Sequence, residues 1–157
     1  EMVAMLQSMT PDEMDAFLNS VAYGSTTDNN VQVSGYYDNN MAQEVFDLTN
    51  QERANNGLSA YSWDSNMASY SDRRAKEIVT DYSHNSAGGN WSVGENIAEG
   101  ETSAREVVND WMNSAGHKAN ILSDVSTKTS VSCYVEKFTY ADGSTQYLYH
   151  WVQNFTH

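Results

Sequence analysis

Residues 103–115 read SAREVVNDWMNSA, and no other stretch of the chain has so regular a helical period. Ala104, Val107, Val108, Trp111, Met112 and Ala115 recur at helical spacing, which makes one apolar stripe on an amphipathic helix. Ser103 supplies the N-cap, and Glu106, three residues on, completes a capping box. A helix with a single apolar stripe has to bury it against another layer.

The candidate layer lies downstream. After residue 126 the period changes to two, with Val131, Cys133 and Val135 alternating with Ser132, Tyr134 and Glu136. A turn at Ala141-Asp142-Gly143-Ser144 follows, and Tyr147, Tyr149, Trp151 and Phe155 then share one face. This aromatic stripe reads as core beneath a helix layer, with Cys133 as a buried strand residue. His150 falls on the opposite face and reads as a partly exposed strand histidine.

Two more helices precede this unit. One runs from about Met41 to Asn55, with Met41, Val45 and Leu48 on one side and Gly57 as terminator. Arg53, near its end, is expected to pair with a carboxylate or to cap carbonyls. The other starts after Asp64 as N-cap and aligns Met67, Ala68, Ser71, Ala75, Ile78, Val79 and Tyr82. Nearer the start, Thr10, Pro11 and Glu13 signal a helix over 9–22, carrying Met14, Phe17, Leu18 and Val21. Residues 24–40, rich in Ser, Thr, Asn, Asp and Gly, read as a linker or wrapping loop. The expected organisation is a helical extension and linker over 1–36 and an α+β domain over 37–157.

Composition narrows the function. The chain has 157 residues, enough for one ordinary domain with a real core. Its 21 acidic residues outnumber 8 basic ones for a formal net charge of -13. No Lys/Arg cluster could displace phosphate counterions, so nucleic acid is not an expected partner. The same charge opposes anionic membranes and self-association, and a monomer is expected. No apolar run is long enough to span a bilayer. The chain opens at Glu1 with no basic or apolar leader, as expected of a chain whose leader has been removed. One cysteine, Cys133, allows no internal disulfide and no C-x-x-C site.

His84, Glu95 and His117 are the residues with most chemical promise, because imidazole serves both as metal ligand and as general base. Their spacing matches no metal motif of the H-E-x-x-H kind, so three readings stay open. The three side chains could hold loops through hydrogen bonds, bind a divalent metal, or support hydrolysis. Ser83 and Ser114 adjoin the histidines in sequence, but neither sits in a G-x-S-x-G elbow.

Taken in order, six segments resemble the CAP superfamily of cysteine-rich secretory proteins, antigen 5 and pathogenesis-related proteins, in its bacterial SCP-like form. They are Leu48-Thr49-Asn50-Gln51-Glu52-Arg53, Tyr61-Ser62-Trp63-Asp64, Ser83-His84, Gly94-Glu95-Asn96-Ile97-Ala98, Trp111 to Leu122, and Trp151-Val152-Gln153-Asn154-Phe155. Together they span residues 41–155.

The resemblance implies an α-β-α sandwich, with a small antiparallel sheet between helix layers. It also implies a cleft in which His84 and His117 match two family histidines and Glu95 matches the first of two glutamates. Ser114 occupies the place of the second glutamate, with Asp110 or Glu106 as substitutes if their helix face points inward. His84, Glu95, Ser114 and His117 are thus the expected ligand-binding cleft, with His84 and His117 as metal ligands and Zn²⁺ the candidate cofactor. The implied function is a secreted or cell-surface binding module for a lipid, a peptide or a cell-surface component. A metal-dependent, peptidase-like hydrolase using the same cleft is the alternative.

Overall fold

A computed structural model describes residues 30–157. The helix expected over 9–22 lies outside the described residues. In chain order the elements are β1 (Val31–Tyr37), α1 (Asn39–Asn55), β2 (Ser62–Trp63), α2 (Ala68–Thr80), β3 (Gly94–Glu99), α3 (Ala104–Met112), α4 (Ala115–Ile121), β4 (Lys128–Tyr140) and β5 (Thr145–Thr156).

Local signals set most of the boundaries. Ser103 Oγ accepts from the Glu106 amide at 3.1 Å, as a capping box requires, while the Glu106 carboxylate reaches the Thr102 amide at 2.9 Å. Asp38 caps α1 by accepting from the Met41 amide at 3.0 Å. At the other end of α1 Gly57 has φ 71°, its amide bonds Ala54 O at 3.1 Å, and Leu58 bonds Arg53 O at 2.9 Å. These two bonds are a Schellman motif, which needs a left-handed residue where Gly57 stands.

Two expected boundaries move. Asp64 does not cap α2; its carboxylate accepts from the Asn66 amide at 3.1 Å and from the Thr156 hydroxyl, tying a turn to the end of β5. The stripe of residues 104–115 also stops early. Ser114, in extended conformation, turns the chain between α3 and α4 and leaves Ala115 exposed.

The sheet order is β1-β4-β5-β3, antiparallel throughout, with the two-residue β2 added parallel to β4. The long β4–β5 hairpin is its spine, and Gly143 (φ 82°) makes the expected turn. The linker reading of 24–40 fails for residues 31–37. Val31–Tyr37 pairs with Tyr134–Tyr140 of β4, so the sheet begins before residue 37. β1 is an edge strand exposed along most of its length, so its short Val31-Gln32-Val33-Ser34 alternation marks no buried face.

Side chains on a strand alternate between faces, and here both faces are covered. On one face Val131, Cys133, Val135, Trp151 and Phe155 meet Val45 of α1, Val107, Val108 and Trp111 of α3, and Ile121 of α4. On the other, Ile97 and Val152 meet Ala75 and Ile78 of α2, with Tyr37, Tyr82 and Tyr134 around them. This is the α-β-α sandwich. Arg53 fastens α1 to α4 by donating to Ile121 O at 2.9 Å and Ser123 O at 2.7 Å, and it lies 3.7 Å over the Tyr61 ring. It caps carbonyls, as a cation at a helix C-terminus should.

His150 departs from its sequence reading. It is fully buried, with Nδ1 3.0 Å from Glu99 Oε1 and Nε2 2.7 Å from Glu136 Oε1. The face opposite the aromatic stripe is not a solvent face, because α2 and the tyrosines cover it. A buried imidazole there requires partners, and two neighbouring strands supply carboxylates.

Candidate functional site

The site forms where α2, the loop after it and β3 meet. In β3, Glu95, Ile97 and Glu99 point to the α2 side, so Glu95 faces the helix while Asn96 and Ala98 face away. Opposite it stands Arg74, whose side chain is 0% exposed. Arg74 Nε donates to Glu95 Oε2 at 2.9 Å and its NH2 nitrogen to Glu95 Oε1 at 2.8 Å. The NH1 nitrogen donates to Glu77 Oε2 and Asn85 O, both at 2.7 Å, and NH2 also donates to Ser83 O at 2.6 Å. All the donors of a guanidinium are thereby used. Burial disfavours its charge, but hydrogen bonds to Glu95 and Glu77 outweigh that and raise its pKa.

The bonds to Ser83 O and Asn85 O place His84 between them. Its side chain is 60% exposed, with Nδ1 3.1 Å from Glu95 Oε1. Asn154, across the β3–β5 pair, donates to Glu95 Oε2 at 2.9 Å. Desolvation pushes the Glu95 pKa up, but bonds from Arg74, Asn154 and His84 outweigh it, and the net shift is downward. Glu95 is therefore ionised near neutral pH and can only accept. It follows that His84 Nδ1 carries the proton, leaving Nε2 as the acceptor nitrogen of the neutral ring.

His117 sits early in α4, half-buried, and its pKa is lowered first by desolvation and then by the nearby charge of His84. Asn120 ties α4 to β3 by donating to Asn96 Oδ1 at 2.9 Å and Glu95 O at 3.4 Å. Asn96 in turn donates to His117 O at 3.2 Å. Gly94 permits this approach, since a Cβ there would lie 3.0 Å from Asn120 Oδ1.

A hollow of about 270 Å³ opens beside these groups, lined by Tyr70, His84, Asn90, Ser92, Val93, Gly94 and Glu95. Of the four residues expected in the cleft, His84 and Glu95 line it. His117 is not part of the lining but is close enough to sense His84, and Ser114 is the N-cap position of α4 with no side-chain cap bond. Neither proposed substitute for the missing glutamate points inward. Asp110 is exposed, and Glu106 is engaged at Thr102.

The donor set does not suit a zinc centre. A carboxylate offers about four lone-pair positions, and Arg74 twice, Asn154 and His84 occupy those of Glu95. Among the described residues no group of three His, Cys, Asp or Glu is placed to hold a metal ion.

Arg74 and Asn154 went unrecognised at the level of sequence. Arg74 did leave a signal, for it shares the buried face of α2 with Ser71, Ala75 and Ile78. A charged residue inside an apolar stripe needs a partner.

The CAP family model, described as the cysteine-rich secretory protein family, matches residues 46–155. The uncharacterized protein YkwD of Bacillus subtilis is 31% identical over 109 residues, covering 60% of this chain and 42% of that protein. A secreted protein of Candida albicans is 29% identical over 97 residues, covering 62% of this chain and 26% of its own length. The chain thus spans less than half the length of these two relatives. Among solved structures, an extracellular SCP-domain protein of Bacillus anthracis superposes with TM-score 0.59 at 27% identity, over 76% of this chain and 41% of that one. An outer surface protein of Borrelia burgdorferi also reaches 0.59, at 16% identity over 78% of this chain and 98% of that one, a likeness of fold alone. Cysteine richness is not shared, since Cys133 stands alone and buried. The matched span runs from within α1 to the penultimate residue of β5 and contains every residue that lines the hollow or holds Glu95, and the chain belongs to the cysteine-rich secretory protein (CAP) family.

Proposed function

We propose that the protein is an extracellular binding module whose ligand enters the hollow beside His84 and Glu95. One observation carries this reading: an exposed imidazole is held in a single tautomer at the edge of an open hollow. The carboxylate that orients it has every lone pair engaged, and that carboxylate is itself clamped by a buried arginine. Such an arrangement presents a fixed hydrogen-bond acceptor beside a carboxylate whose own lone pairs are already engaged. The location is carried over from relatives described as secreted or extracellular. Among the described residues, no helix is long and apolar enough to cross a membrane. The metal-dependent hydrolase reading has no comparable observation in its favour.

Backbone amide NMR tests the proposal, with mixtures of small saccharides, short peptides and short-chain lipids added to the protein. Shifts should cluster at residues 84–95 for at least one class, and His84→Ala should weaken them. Turnover of a peptide or ester substrate that needs Zn²⁺ and is lost in His84→Ala would reverse the conclusion. So would an absence of shifts in the hollow with all three classes.

A further inference from the structure

A pair of stacked aromatic rings stands beside the hollow. Trp91 is 59% exposed and Val93 58%, both in the loop that leads into β3. Single exposed apolar residues need no explanation, but Val93 lines the hollow and Trp91 stacks on Tyr70, which lines it too. The indole is also held in place. It stacks on Tyr70 with ring centroids 5.6 Å apart and planes 7° from parallel, and Tyr70 is only 2% exposed. Its Nε1–H donates to Gly88 O at 3.0 Å. The Arg73 guanidinium lies 5.1 Å from the centroids of both rings. Covering Tyr70 uses one face of the indole, and the residue is still 59% exposed. Tyr70 itself lines the hollow, so the platform and the hollow are continuous.

The remaining lining defines the ligand chemistry. Glu95 carries the formal charge of the lining, and the guanidinium of Arg74 neutralises it in place. The polar groups of the lining left to a ligand are neutral, and the Arg73 guanidinium beside the rings is paired with Glu77 at 3.5 Å. Ser92 Oγ accepts from Asn154 Nδ2 at 3.1 Å, so its own hydrogen is available to donate. Asn90 offers an amide that can donate and accept, and His84 offers Nε2 as acceptor. A ligand suited to this site has one flat apolar face for the indole and uncharged hydroxyl groups around its rim. At about 270 Å³ the hollow is at the small end of ligand pockets, room for a ring rather than for an acyl chain.

Resting on the binding-module reading, we propose that Trp91 and the hollow form a subsite for one pyranose ring of a neutral saccharide. The C–H face of the sugar lies on the outer face of Trp91, against Val93. Its hydroxyls meet Asn90, Ser92 and His84 Nε2. An aromatic surface already immobilised loses little rotamer entropy on binding, and that pre-organisation favours even a small contact.

The test uses the whole chain with three neutral trisaccharides, cellotriose, maltotriose and triacetylchitotriose, and with triglycine as peptide control. Binding is followed by tryptophan fluorescence and by the Trp91 indole N–H resonance. At least one trisaccharide should bind in the millimolar range or tighter and shift that resonance. Trp91→Ala should weaken binding about tenfold or more, and Trp91→Phe should recover part of it. Because Trp91 is exposed, the alanine variant should keep the dispersed amide spectrum of the parent. Should it unfold, Val93→Asp supplies the same test from the rim. Saccharide binding that is unchanged in the Trp91 and Val93 variants overturns the proposal. Failure of all three trisaccharides overturns it too. If triglycine alone shifts residues 84–95, the sugar subsite is wrong while the binding module stands; if nothing binds there, the sugar subsite falls, and the binding module falls with it when short-chain lipids also leave residues 84–95 unshifted.

Discussion

Arg74 and Glu95 face each other through a two-bond fork, Nε to Oε2 at 2.9 Å and NH2 to Oε1 at 2.8 Å, with the arginine wholly buried. The fork joins α2 to β3, and the same guanidinium pins the loop that carries His84. One residue thus couples packing of the sandwich to presentation of the site. Planar bidentate recognition is the reason an arginine stands there.

Removing that guanidinium should be severe. Arg74→Met leaves the buried Glu95 without its counter-charge, an unpaired buried ion that costs about 3–5 kcal/mol. Urea unfolding should show this loss, and Arg74→Lys should recover only a fraction of it, because an ammonium cannot form the fork. A lysine variant as stable as the parent would mean that the fork contributes little.

The His150 cluster predicts a dependence on alkaline pH. Burial lowers the pKa of His150, but the hydrogen bonds it donates to Glu136 and Glu99 outweigh that and raise it from 6.5 to about 9. A raised pKa means that the folded state holds the proton more tightly than the unfolded state. The contribution is complete below about pH 6.5 and is lost as pH rises through about 9. It amounts to about 3 kcal/mol across that window, at about 1.4 kcal/mol per unit. Thermal melts from pH 6 to 10 should show the decline, and His150→Gln should flatten it. A parent protein whose melting point rises over that interval would contradict the burial of a charged imidazole.

Glu95 acts in the opposite direction. Its folded pKa is lowered, so its contribution is present above the unfolded carboxylate value and is lost as pH falls through the folded one. Acid unfolding of the parent should therefore release residues 83–85, whose carbonyls depend on the same arginine, together with β3. Hydrogen exchange measured at stepwise lower pH would read this as joint loss of protection. Independent opening of the loop would argue against a shared anchor.

The tautomer of His84 can be observed directly. With Glu95 restricted to accepting, the neutral ring should be the Nδ1–H form, visible in long-range nitrogen–proton spectra. An Nε2–H tautomer would show that Glu95 does not orient this imidazole.

Gly94 reports on the contact between α4 and β3. Gly94→Ala places a methyl group 3.0 Å from Asn120 Oδ1, and the amide cannot swing aside without losing its bonds to Asn96 and Glu95. A destabilisation of about 1–3 kcal/mol is expected, with amide shifts spreading into 115–121. A neutral substitution would place Asn120 away from the strand.

What could be read from amino-acid order was what neighbours decide. The capping box at Ser103 and Glu106, the glycine stop at Gly57 and the Asp142-Gly143 turn each involve groups within six residues of one another. Alternation along β4 and β5 marked the face that meets α1, α3 and α4, because a strand turns its side chains over at every step. His84 and Glu95 could be named as a pair only through the family resemblance, since nothing in their spacing is diagnostic.

Everything that required distant partners was decided by folding. β1 exists because β4, about a hundred residues downstream, offers it an edge. His150 is buried because α2 and the tyrosines close over a face that its own strand leaves undetermined. Arg74 meets Glu95, and Glu95 meets Asn154 from β5, only when three separate elements pack. Local order sets backbone conformation and which face is apolar. The electrostatics of a buried charge depend on who stands opposite, and that is a property of the assembled fold.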